Sequence, residues 1–278
     1  MAASPHLPPA AYHLPSAAIE LRGVSLSFDE KQVLGDVSFK VAAGGTLILL
    51  GVTGSGKSVL LKLMLGLLKP DSGEILIEGE DIVPLPEEHL NTFRKRMGIV
   101  FQEGALFDSL SVYENVSYRL REEGETNEVK MEQRAREVLG FVDLDQVIDK
   151  MPAELSGGMR RRVSIARAIA SEPTIMLYDS PTGGLDPVTS QTINLLITKL
   201  RDAQHVTSIV VTHRLQDAFL LANFEYSTEK QSLVPVPANG GDRPATHFLV
   251  LRDGGVFFEG SQDELRQADD PYLRKFLA

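Results

Sequence analysis

The sequence predicts an α/β fold: a parallel-sheet core carrying an antiparallel β subdomain and an inserted α-helical subdomain. Short apolar runs alternate with helical stretches, a glycine-rich loop joins one such run to a helix, and a largely helical block separates two buried strands. From Ile19, apolar residues alternate with polar ones (Ile19, Leu21, Val24, Leu26, Phe28), the pattern of a half-buried strand. Val37 to Val41 and Ile75 to Ile77 read as its antiparallel companions around the glycine-rich loop. Thr46 to Leu50 reads as a buried strand, and Val59 to Met64 as the helix beyond the loop. Gly98 to Phe101 is a short buried strand expected to end at Gln102, and residues 103–171 are mostly helical by pattern, with a charged, mobile connection over residues 122–130. Ile175 to Tyr178 and Ser208 to Val211 are strongly apolar strands, with a helix from Pro187 to Asp202 between them. A last hairpin is expected at Phe248–Leu251 and Val256–Phe258 about an Asp253-Gly254-Gly255 turn. No internal repeat is present, so the loop and the domain around it occur once in the chain.

The loop reads GVTGSGKS over residues 51–58, the pattern Gly-x-x-x-x-Gly-Lys-Ser set between a strand and a helix. Gly51, Thr53, Gly54, Ser55 and Gly56 place backbone N–H groups where they can turn inward as a nest for phosphate oxygens, and the following helix adds its positive end. Lys57 supplies a point charge for the β- and γ-phosphates, and the Ser58 hydroxyl is placed to ligate Mg²⁺. Such a segment binds a nucleoside triphosphate.

Composition removes several other classes. The chain has no cysteine, which excludes disulfides and thiolate metal sites and fits a reducing compartment. Its longest apolar runs are broken by Lys62 and Gly66, short of a bilayer span. A formal net charge of −10 argues against nucleic acid as a partner but not against a triphosphate, which meets a local cationic pocket. Residues 1–17 are rich in Ala and Pro, lack the basic start and apolar stretch of a signal peptide, and are expected to form a disordered tail.

Leu155-Ser156-Gly157-Gly158 opens an amphipathic helix with apolar positions at Val163, Ala166 and Ile169, and a Ser beside two glycines there makes a second anion-binding terminus. This segment resembles the signature motif of ABC-type ATPases. The order of phosphate loop, Gln102, LSGG, acidic strand end and His213 is similar to that family from about residue 19 to 260. The resemblance implies a P-loop NTPase (RecA-like) core with ATP and Mg²⁺ as ligands, an ATPase domain over residues 18–260 and a C-terminal helical tail over 261–278. It puts the helical subdomain at about 103–172. It places Phe28 as the ring stacked on adenine, Gln102 as a Mg²⁺-coordinating and coupling residue, and Asp179 as the carboxylate that holds Mg²⁺ through water. Gly184-Leu185-Asp186 becomes the loop that communicates across a dimer, and His213 the switch that contacts the γ-phosphate. Two chains would pack head to tail, each ATP lying between the nest of one and Ser156, Gly157 and Gly158 of the other, a ligand-linked association.

Three departures mark this chain. The family's hydrolytic carboxylate follows the Mg²⁺-holding Asp directly, and here that position is Ser180, whose hydroxyl has no useful basicity near pH 7. Removing a general base costs about 10²–10⁴ in rate, so tight MgATP binding with slow or rescued hydrolysis is expected. A natural variant using other groups, a substitution that traps the ATP state, and a non-hydrolysing clamp all fit. Glu103, next to Gln102, is the nearest alternative carboxylate. Residues 224–246, with Pro235, Pro237, Gly240 and Gly241, read as a polar surface insertion where similar ATPases pass directly from helix to strand. Arg214 stands where an acidic residue is more usual.

Met159 after the two glycines, the run Phe101-Gln102-Glu103-Gly104-Ala105-Leu106-Phe107, the basic run Arg160 to Arg162 and the ending from Asp269 to Leu277 resemble the Mce/Mla-type ATPases of lipid trafficking. That branch implies a second ATPase subunit, a polytopic permease met around Gln102 and residues 107–118, an MCE-domain lipid carrier and a STAS-domain regulator. It also implies a peripheral position on the cytoplasmic face of the inner membrane, and a tail that reaches across the dimer. A nucleotide-gated assembly module is the other reading that Ser180 favours. A soluble ABC protein acting on ribosomes or DNA fits less well, for lack of a second nucleotide domain or a coiled-coil insertion.

Overall fold

The computed structural model describes residues 17–237 and 244–277. Of the tail expected at 1–17, residues 1–16 lie outside them. The core is a six-stranded sheet in the order β12-β11-β3-β8-β7-β6: β3 (Thr46–Gly51), β6 (Met97–Val100), β7 (Ile175–Asp179), β8 (Thr207–Val211), β11 (Thr246–Arg252) and β12 (Gly255–Gly260). All neighbours run parallel except the β11–β12 hairpin at the edge. Because side chains alternate across a strand, each central strand feeds two cores. Ile48, Leu50, Met176, Tyr178, Val210 and Phe248 face one, and Leu47, Leu49, Ile175, Leu177, Ile209 and Leu249 face the other. Both faces are therefore covered, which is why these strands are apolar throughout.

The second core is closed by α1 (Lys57–Met64), α2 (Glu87–Arg94) and an antiparallel sheet in the order β2-β1-β4-β5: β1 (Ile19–Phe28), β2 (Lys31–Val41), β4 (Ser72–Ile77) and β5 (Glu80–Asp81). The first core is covered by the helical block, α3 (Val112–Glu122), α4 (Glu128–Phe141) and α5 (Gly157–Ile169), together with α6 (Pro187–Gln204) and α7 (Leu215–Asn223).

Four expectations need correction. The strand before Gln102 ends at Val100, because the Phe101 carbonyl turns to accept the Gly104 N–H at 2.9 Å; Gln102 sits in that turn. The connection expected over 122–130 is shorter, since Asn127 caps α4 by accepting the Lys130 N–H and brings Glu128 to Lys130 into the helix. Arg121 and the Tyr113 hydroxyl both donate to Glu128 at the start of that helix. The helix expected to stop at Asp202 continues to Gln204, where His205 adopts a left-handed φ of 53°. The insertion is not a plain surface loop in its first half: β9 (Phe224–Ser227) and β10 (Ser232–Pro235) pair as an antiparallel hairpin. Buried Arg201 anchors that hairpin to α6 by donating to the Leu221 and Phe224 carbonyls, and Asp202 accepts the Tyr226 N–H at 2.7 Å. Residues 238–243 of the insertion lie outside the described residues.

After β12 come α8 (Gln262–Gln267), capped by a Ser261–Glu264 box, and α9 (Pro271–Leu277). Here α9 starts on its own chain, the Tyr272 hydroxyl donating to the Leu251 carbonyl at 3.0 Å.

One buried amide holds the entrance to the helical block. Asn115 is fully buried; its Nδ2 donates to the carbonyls of Phe107, Leu110 and Ser111, and its Oδ1 accepts the Phe107 N–H at 2.8 Å. An Asn115→Leu substitution leaves the Phe107 N–H and the Leu110 carbonyl without a partner, while the Phe107 and Ser111 carbonyls keep the N–H groups of Leu110 and Asn115. It is expected to lower unfolding free energy by about 2–3 kcal/mol, read as a shifted denaturant midpoint at unchanged slope.

Candidate functional site

The site begins where β3 passes into α1. Gly56, the residue before α1, has φ 98°, and a Cβ there would stand 2.6 Å from Leu34 Cδ2. No side chain is tolerated at this position, so the helix N-terminus is open to an anion without a side-chain cap. Lys57 is folded back over the loop, its Nζ donating to the Gly51 carbonyl at 2.9 Å and the Val52 carbonyl at 2.8 Å, with Ser55 Oγ at 3.3 Å. Burial pushes the Lys57 ammonium below its ordinary pKa, while the Asp179 carboxylate opposes that shift. Gly54 and Thr53 face solvent at the crest of the loop.

Asp179 ends β7 and reaches the loop directly: Ser58 Oγ donates to Asp179 Oδ2 at 2.8 Å, across 121 residues of sequence. A hydroxyl and a carboxylate in contact are the hard oxygen donors that suit Mg²⁺. Among the described residues no group of three or more His, Cys, Asp or Glu could hold a metal by itself. The donor set thus fits a cation that arrives with phosphate oxygens completing its shell.

Ser180 follows with a left-handed φ of 49°, its N–H donating to the Val211 carbonyl at 2.9 Å. Gln102 Cγ and Ser180 Cβ each lie 3.5 Å from the point where a Cβ on Gly183 would sit, so the two side chains are neighbours. The buried Arg161 of α5 fastens their two loops together. Its Nη1 donates to the carbonyls of Phe101 and Ser180, both at 3.2 Å, and its Nη2 to the Gly183 carbonyl at 3.5 Å. Burial lowers the Arg161 pKa, and the charge of Glu103 opposes the shift, which places Glu103 within electrostatic reach of the same junction.

His213 is exposed, two residues beyond β8. Asp186 serves locally as the N-cap of α6: it accepts the Thr189 N–H at 3.0 Å and the Thr189 hydroxyl at 2.5 Å, bonds that hold its carboxyl below the usual range. Phe28 closes β1 and is 44% exposed, at the end of the hairpin whose Leu34 packs beside Gly56. Ser156 caps α5 by accepting the Met159 N–H at 3.2 Å, and Ser156 and Gly157 face solvent.

Lys57, Ser58, Asp179, Gln102 and Ser180 are thus gathered in one place. Ser156, Gly157 and Gly158 make no hydrogen bond to the phosphate loop of their own chain among the described residues. Sequence reasoning missed Arg161, although it lies four residues before Ile165 on the buried stripe of its helix, a spacing that marks an inward-facing position.

Residues 34–183 match the family described as "ABC transporter". The chain is 36% identical to the probable ribonucleotide transport ATP-binding protein mkl of Mycobacterium leprae, over 94% of this chain and 68% of that protein. It is 34% identical to the intermembrane phospholipid transport system ATP-binding protein MlaF of Escherichia coli K12, over 93% and 88% respectively. The ATP-binding cassette MJ0796, solved as a dimer in a post-hydrolysis state bound to ADP and Pi, superposes with a TM-score of 0.73 at 29% identity, covering 87% of this chain and 98% of that one.

Proposed function

This chain belongs to the ABC transporter family and is an ABC-type ATPase, and from that premise we propose that it powers a membrane permease moving phospholipid or a related lipid. The observation that carries the enzymatic half is the Ser58–Asp179 contact at 2.8 Å beside Lys57. In that arrangement the backbone nest and Lys57 bind the β- and γ-phosphates, and Ser58, Asp179 and Gln102 would hold Mg²⁺. When bound, the cation neutralises charge that develops on the transferred phosphoryl group. Water attacks the γ-phosphorus, the bond to the bridging oxygen breaks, and ADP and phosphate leave.

The lipid half is supported by likeness to MlaF over nearly its whole length. The mkl proteins, matched over about two thirds of their length, carry a ribonucleotide name instead. Support for a permease partner comes from a cleft of ≈ 590 Å³ between the core and the helical block, lined by Leu65, Leu67, Arg94, Met97, Ile99 and Arg119. On the helical block, the exposed rings of Tyr118 and Phe107 pack against each other at 4.7 Å, tilted by 43°. A cleft with apolar Leu65, Leu67, Met97 and Ile99 among charged residues that include Lys95, Glu122 and Glu123 suits a short amphipathic helix of a membrane partner. No helix among the described residues is long and apolar enough to cross a membrane, so the partner would supply the pathway while this chain sits on the cytoplasmic face. A second copy, an MCE-domain carrier and a STAS-domain regulator complete the proposed assembly.

The test is co-purification from membranes, followed by ATPase measurement in nanodiscs of defined lipid. A polytopic partner and turnover stimulated by phospholipid are expected. Stimulation by ribonucleotides other than ATP instead, with none by phospholipid, would replace the cargo reading and leave the ATPase intact. A Leu67→Glu substitution, at an exposed residue of the cleft, is expected to lose the partner while keeping MgATP affinity; retention of the partner would put the docking face elsewhere.

A further inference from the structure

Arg214 gives a physical role to a residue that the sequence left unexplained. Its side chain spans three elements. Nη1 donates to Ser190 Oγ of α6 at 2.7 Å and to the Thr182 carbonyl at 3.3 Å, and Nε lies 3.5 Å from Asp217 Oδ2 of α7. Asp217 in turn accepts the Thr182 hydroxyl at 2.5 Å and the Asn194 amide at 2.7 Å. Thr182, Ser190, Asn194 and Asp217 are all at least 95% buried. The buried carboxylate is thus answered by a guanidinium, an amide and a hydroxyl, while Asn194 Oδ1, also buried, accepts no hydrogen bond.

The network joins two functional elements. On one side is His213, the neighbour of Arg214 in the chain. On the other is the segment 182–186, whose Asp186 caps α6 through Thr189. That Thr189 methyl packs so closely on Gly158 that a Cβ there would collide with it. The same short turn is gripped from the opposite side by Arg161, at the Ser180 and Gly183 carbonyls. Ser180 holds a left-handed backbone that is unfavourable for a residue with a Cβ, so the turn is kept in place by these two arginines rather than by its own preference.

We propose that Arg214 is a positioning residue: it couples occupancy of the chain's own phosphate site, felt at His213, to the Gly157–Gly158 helix terminus that the chain offers a second copy. This rests on two readings, that His213 meets the γ-phosphate as the family resemblance implies and that ATP draws two copies together. A small movement of His213 toward a bound γ-phosphate moves Arg214, which carries Thr182 and Ser190 with it and so shifts Asp186, Thr189 and the face of Gly158. The physical warrant for such coupling is an element whose state both ends bias.

The test uses the full chain with Arg214→Met, which keeps the length of the side chain and removes its donors, and Ser190→Ala, which removes one acceptor only. Amide hydrogen exchange over residues 182–186 is followed with and without MgATP, beside nucleotide affinity and sedimentation. In the native chain MgATP is expected to slow exchange there by about tenfold. In Arg214→Met most of that slowing disappears while MgATP affinity stays within about threefold, and Ser190→Ala falls between, with no further loss in the double variant. Equal slowing in native and Arg214→Met chains overturns the proposal, as does a fall in affinity that accounts for the whole effect. If Arg214→Met is unfolded, Ser190→Ala alone decides: unchanged slowing sinks the idea. Slowing in a native chain that sediments as a monomer would keep this inference and remove the pairing.

Discussion

Ser180→Glu is expected to raise ATP turnover at saturating nucleotide by about 10²–10⁴, equivalent to roughly 3–5 kcal/mol of barrier, with MgATP affinity little changed. The asymmetry follows from where Ser180 stands. Phosphate binding depends on the 51–58 nest, Lys57 and the Ser58–Asp179 contact, none of which Ser180 touches. Its side chain instead neighbours Gln102 across Gly183, at the position where the family resemblance puts the hydrolytic carboxylate. A glutamate inherits the left-handed backbone at 49° that serine already bears, held by Arg161 and by the Val211 carbonyl, so the substitution adds little strain. Phosphate release from the purified complex checks this, and the native chain should accumulate as an ATP-bound pair. A native rate equal to that of Ser180→Glu would show that serine does not limit hydrolysis. If that rate then collapsed in Glu103→Gln, the proton acceptor would be the carboxylate beside Gln102.

Lys57→Ala is expected to weaken MgATP binding by about 10²-fold, near 2.7 kcal/mol, the upper range for a charge-assisted hydrogen bond. Nothing else in the loop carries positive charge, and Nζ, now on the Gly51 and Val52 carbonyls, must turn to the phosphates when they enter. Fold stability should change little in the same variant. Burial already lowers the Lys57 pKa, so the folded state holds this cation at a desolvation cost that alanine removes along with its hydrogen bonds. Isothermal titration and a thermal melt separate the two effects. Affinity within threefold of native would mean that the amide nest alone carries the triphosphate, and a large fall in melting temperature would make Lys57 structural.

Much of this protein is readable along the chain because its signals are local. A glycine-rich run between an apolar strand and a helix specifies a phosphate nest within eight residues, and period-two and period-3.6 patterns separate buried strands from amphipathic helices. The same pattern failed at element ends. Whether residues 122–130 form a connection or a helix start depends on Asn127 accepting one N–H, and whether the strand reaches Gln102 depends on which group the Phe101 carbonyl meets.

Sequence order sufficed for fold class, phosphate loop and family, since each rests on residues adjacent in the chain or on a motif order. The contact of Ser58 with Asp179, the bolting of the Gln102 and Ser180 loops by Arg161, and the bridge from Arg214 to Thr182 and Ser190 join positions far apart in the chain. No periodicity encodes those meetings. They arise when the parallel strands stack and bring the ends of β3, β6, β7 and β8 to one edge, where buried donors must find acceptors or leave them unpaired at a cost.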